Sequence, residues 1–86
     1  MQSSVHVETP DLNSAGALRQ QLLDFDSSLA PLTEGRWKVS AEVFSEGHEA
    51  NMEVDRILGL VQGWLVTQEI QSTTVRLGAK TYVMLQ

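Results

Sequence analysis

The 86-residue chain contains no cysteine. That removes disulfides, zinc–thiolate sites and thiol catalysis, and it fits a reducing compartment. Basic charge is also scarce: six Lys and Arg against eleven Asp and Glu leave a formal charge of −5. The six are scattered, and no run of them could neutralise a phosphate backbone, which argues against nucleic acid as a partner. An anionic membrane surface would repel the chain for the same reason. No apolar run approaches the ~18 residues of a membrane-spanning helix. Residues 1–8 lack the basic cluster and apolar core of a signal peptide. The expectation is a cytoplasmic protein that does not bind membranes. Glycine-rich phosphate loops are missing, and no serine sits in a strand–Gly-x-Ser-x-Gly–helix elbow.

An apolar fraction of 42% is present instead, ordinary for a folded soluble domain. The length allows one small α/β domain over residues 1–86, burying only about 60–65% of its unfolded surface. One stretch specifies its own structure. Between Glu49 and Glu69, Ala50, Val54, Ile57, Leu58, Val61 and Leu65 recur at helical spacing, with Trp64 at the edge of the stripe. Each such side chain contributes ~1.5–3 kcal/mol when buried, before the entropy of ordering it.

The remaining elements are read around that helix. Ser3 to Glu8 alternates as a short strand with Val5 and Val7 on one face, and Pro10 stops it. Asp11, Asn13 and Ser14 offer N-cap oxygens, Asn13 or Ser14 being preferred. A first helix is expected from about Ala15 to Asp26, burying Leu18, Leu22 and Phe25, followed by Leu29. Ser27 to Gly35 reads as a connection broken by Pro31. Arg36 to Phe44 alternates again, with Trp37, Val39, Ala41 and Val43 on the inner face. Glu49 and Glu53 complement the dipole at the start of the long helix. After it, Thr74–Leu77 and Thr81–Leu85 form a hairpin through a Gly78-Ala79-Lys80 turn.

The expected order is β-α-β-α-β-β. Two right-handed crossovers would place both helices on one face of a mixed four-stranded sheet, giving a two-layer α+β sandwich. The uncovered face would show Lys38, Ser40, Glu42, Arg76 and Tyr82.

The back of the long helix is unusual. At about 100° per residue, Met52, Gly59, Gly63 and Val66 share the face opposite the core stripe, where Lys, Glu or Gln would be ordinary. Each interior glycine costs about 1 kcal/mol in helix propensity. Either the first helix or the Ala30-Pro31-Leu32 loop covers this groove, or the four residues bind a protein partner, with a second copy in a homodimer as one form.

Catalytic candidates are few. His48 lies among Glu46, Glu49, Glu53 and Asp55, but its i+4 position is Met52, so the metal-ligand spacing fails. His6 has no nucleophile adjacent in sequence. Trp37 and Trp64 both fall on core patterns. The reading is a non-enzyme without catalytic residues, metal or cofactor.

Leu58-Gly59-Leu60-Val61-Gln62-Gly63-Trp64-Leu65, then Thr74-Val75-Arg76-Leu77-Gly78 and Tyr82-Val83-Met84-Leu85, resemble the effector-associated constant component family. Ala17-Leu18-Arg19-Gln20-Gln21-Leu22-Leu23 is similar to that family's first helix. Glu46-Gly47-His48 stands where the family carries a glycine-rich approach to its second helix. The resemblance implies a non-enzymatic adaptor of bacterial conflict or signalling systems that binds protein partners, and it supplies no catalytic residues. The contrasting expectation is a small-ligand-binding regulatory domain, its site at the carboxyl ends of parallel strands near Glu8-Thr9 and Ser45-Glu46.

Overall fold

The computed structural model describes residues 3–86. Its elements are β1 (Ser3–Thr9), α1 (Leu12–Gln21), β2 (Ser28–Pro31), β3 (Trp37–Val43), α2 (His48–Thr67), β4 (Ser72–Leu77) and β5 (Lys80–Leu85). Short 3₁₀ turns at Leu23–Phe25 and Thr33–Gly35 flank β2. The strands form one sheet in the order β2-β3-β1-β4-β5, and every neighbouring pair is antiparallel.

This corrects the expected mixed four-stranded sheet. Ser28–Pro31, read as a connection, is a strand that pairs with β3 from Ser28↔Ser40 to Pro31↔Trp37. With β2 and β3 forming a hairpin, β3 returns antiparallel beside β1. The parallel relations survive only between strands that are not neighbours. β1 and β2 run the same way with β3 between them, and β3 and β4 do so with β1 between them. The first six elements after this change, β-α-β-β-α-β, are the split-βαβ arrangement of ferredoxin-like folds, and β5 extends it at one edge.

Both helices lie on one face, as expected. Ala15 and Leu18 of α1, with Leu22 just beyond it, and Ile57, Val61, Trp64 and Leu65 of α2 are buried. They form one cluster with Val5, Val7, Val39, Ala41, Val43 and Val75. Trp37 is half-buried at its margin. α1 begins earlier than its pattern suggests. Asp11, rather than Asn13 or Ser14, is the N-cap, its Oδ1 accepting the Ser14 N–H at 2.7 Å. Ser14 is buried, and its carbonyl accepts the Trp64 indole N–H at 2.8 Å, which ties α2 to the start of α1.

The last hairpin turns on two residues, Gly78 and Ala79, with Leu77 opposite Lys80. Gly78 has φ +60°, a left-handed conformation that glycine adopts without a Cβ clash. The shorter turn shifts β5 by one residue relative to the expected three-residue loop, and a shift of one exchanges the faces of a strand. Tyr82 and Met84 therefore lie opposite Val75 and Thr73 on the helix side. Val83 and Leu85 stand on the open side, 66% and 68% exposed. Tyr82 thus leaves the set expected on the uncovered face. Among the described residues, no helix is long and apolar enough to cross a membrane.

Candidate functional site

Three surfaces carry features that folding alone does not require. The first is the back of α2. Met52, Gly59, Gly63 and Val66 are all exposed. α1 approaches but does not fill the space: Ala17 and Gln21 border a shallow groove of about 200 Å³ together with Gly59, Leu60, Gly63, Trp64, Thr67 and Gln68. A Cβ at Gly59 or Gly63 would meet nothing within 4 Å, so packing within the chain does not explain these glycines.

The second is the edge at β5. The Gln86 N–H donates to the Gln71 carbonyl at 2.8 Å, so these two form a hydrogen-bonded pair of the antiparallel ladder. Such pairs alternate along a strand. Lys80, Tyr82 and Met84 therefore point their peptide groups inward to β4, while Thr81, Val83 and Leu85 point theirs away from the sheet. β5 is the end strand, and this segment carries no proline and one charge, Lys80. The opposite edge differs. β2 is four residues long and ends in Pro31, features that blunt a sheet edge against unwanted pairing.

The third surface is the open face of the sheet. His6 of β1 lies between Ser40 of β3 and Arg76 of β4 in register, and Glu8 lies opposite Lys38. His6 Nδ1 and Ser40 Oγ are 2.7 Å apart. Ser4 Oγ donates to Glu42 Oε2 at 3.0 Å, and Arg36 pairs with Glu8 at 3.5 Å. His6, Glu8, Leu32, Lys38, Thr74, Arg76 and Gly78 line a shallow groove of about 290 Å³. The His6 pKa lies below its ordinary value. Burial is the main cause, with Lys38 and Arg76 adding to it and Glu42 opposing.

Ser40 is the neighbour that sequence reading did not supply for His6, because 34 residues separate them. The pair resembles half of a nucleophile–base arrangement, but the described hydrogen bonds give His6 no carboxylate to orient its other nitrogen. His48 is exposed and opens α2, on the helix side of the sheet. The sheet therefore separates it from the His6 side chain. Among the described residues, no group of three or more His, Cys, Asp or Glu side chains is placed to hold a metal ion. Nor do Glu8-Thr9 and Ser45-Glu46 form one site. Thr9 pairs with Trp37 while Ser3 pairs with Val43, so the carboxyl ends of β1 and β3 are at opposite ends of the sheet. The chain matches no protein-family model, no curated protein and no solved structure.

Proposed function

We propose that the chain is a non-enzymatic protein-interaction module that docks a partner strand on β5, a second copy being its simplest partner. The observation behind this is the asymmetry of the two edges. β2 is short and ends in proline, whereas β5 offers the peptide groups of Thr81, Val83 and Leu85 beside two exposed apolar side chains. A partner strand adds backbone hydrogen bonds there, and its alternate side chains meet Val83 and Leu85. The edge suits self-pairing. Antiparallel addition centred on Val83 brings Val83 to its own copy and Thr81 to Leu85, joining the outward groups of both strands. Lys80 is the only charge on β5, so little repulsion opposes the seam. The exposed Met52/Gly59/Gly63/Val66 face is then a second docking surface on the helix layer. An adaptor role in a bacterial signalling or conflict system, implied by the family resemblance, is compatible with such a module.

Val83→Pro tests the edge. The Val83 N–H points outward, so proline removes a group that β4 does not use, and proline is tolerated on edge strands in that orientation. Light scattering across a concentration series should show wild-type dimers and Val83→Pro monomers, with a melting temperature within a few degrees of wild type. A wild type that stays monomeric at every concentration refutes self-pairing. A dimer that survives the substitution moves the seam away from β5.

A further inference from the structure

We propose that the open face of the sheet holds a small oxyanion, of the size of phosphate or a phosphate monoester, between His6, Lys38 and Arg76. These three side chains come from the adjacent strands β1, β3 and β4 and line one groove. Arg36 engages Glu8, and the Ser4 hydroxyl engages Glu42. Among the described residues, Lys38 and Arg76 have no carboxylate in ion-pair contact. Two cations thus flank a histidine whose charged form they disfavour.

An oxyanion reverses that balance. Arg76 presents a planar guanidinium fork that matches two oxygens, and Lys38 adds a point charge. In the tautomer in which the Ser40 hydroxyl donates to Nδ1, His6 carries its proton on Nε2 and donates from there. The groove, about 290 Å³, lies at the lower end of ligand-site volumes and suits a small ligand. Glu8 and Glu42 on the same face, and the chain's charge of −5, disfavour an extended polyanion such as nucleic acid. Local donors bind the small anion where the whole molecule repels a large one.

The test is a proton NMR titration of both histidines in inorganic phosphate and in sodium chloride of equal ionic strength. A dianion within about 4–6 Å of His6 stabilises its protonated form, and opposite charges at that range shift a pKa by about one unit or more. The His6 pKa should therefore rise by about that amount in phosphate, with His48, exposed at the start of α2 on the helix side of the sheet, as the control. Arg76→Gln should raise the starting pKa of His6, because a cation that lowers it is gone, and should reduce the phosphate-induced rise. Lys38→Gln gives the same pair of signs and serves if the first variant folds poorly. No phosphate-induced rise at His6, an equal rise at His48, or a rise undiminished in either variant overturns the site.

Discussion

Trp64 and Glu53 show how single polar groups fix the joints of this small domain. The indole N–H of Trp64 finds its acceptor in the Ser14 carbonyl at a buried point, where an unpaired donor would cost about 1–3 kcal/mol. Glu53 acts at the entrance to α2. Its Oε2 accepts the Ser45 backbone N–H at 2.9 Å, closing the loop that leads from β3. Hydrogen bonds from Ser45, first its hydroxyl and then its backbone, hold the Glu53 pKa below the ordinary 4.5, with Phe44 N–H and Arg56 assisting. A carboxyl whose pKa is lowered by folding favours the fold fully above its ordinary value. That contribution fades as pH falls through the lowered value. Glu53→Gln should therefore unfold at lower urea than wild type at neutral pH, and the difference should vanish well below pH 4.5. A gap of equal size at both pH values would assign the effect to packing instead of charge.

The helix α2 and the strand β5 differ in how far their sequences reveal them. α2 was legible because its core stripe repeats over about four turns, and Ile57, Val61 and Leu65 are buried as their spacing requires. Its glycines are also open to test. Gly59 and Gly63 sit in helical backbone with free space around a Cβ, so neither a close contact nor a positive φ demands glycine. Gly63→Ala should raise stability by up to about 1 kcal/mol in urea unfolding, the gain in helix propensity. A loss would mean that α1 sits closer to α2 in solution than the groove between them suggests. β5 was legible as a strand but not in register, since Val83 and Leu85 alternate like core residues and only the turn length sends them outward. β2 was hidden for another reason. Ser28-Leu29-Ala30-Pro31 is too short to alternate, and Pro31 resembles a break; it is tolerated because β2 is an edge strand. Missing those four residues turned an antiparallel neighbour into a parallel one and misplaced a candidate ligand site.

At the scale of the whole molecule, charge and edge act against each other. The candidate groove could not be read from the sequence, because His6, Lys38 and Arg76 are far apart in the chain and meet only through the order β3-β1-β4. The net charge of −5, in contrast, is plain from the residues, and it gives copies of the chain a mutual repulsion at neutral pH. That repulsion is weakest near the isoelectric point, about pH 4.7. There the outward peptide groups of Thr81, Val83 and Leu85 meet the fewest electrostatic obstacles to pairing with another strand. The wild-type dimer should therefore tighten as the pH approaches that value, read as a falling dissociation constant in light scattering. Val83→Pro leaves the net charge unchanged and removes one outward N–H, so it separates the edge from the charge. If β5 is the seam, the variant should stay monomeric at the same pH and concentration. Equal association in both proteins would mean that charge neutralisation alone drives it and that the β5 edge plays no part.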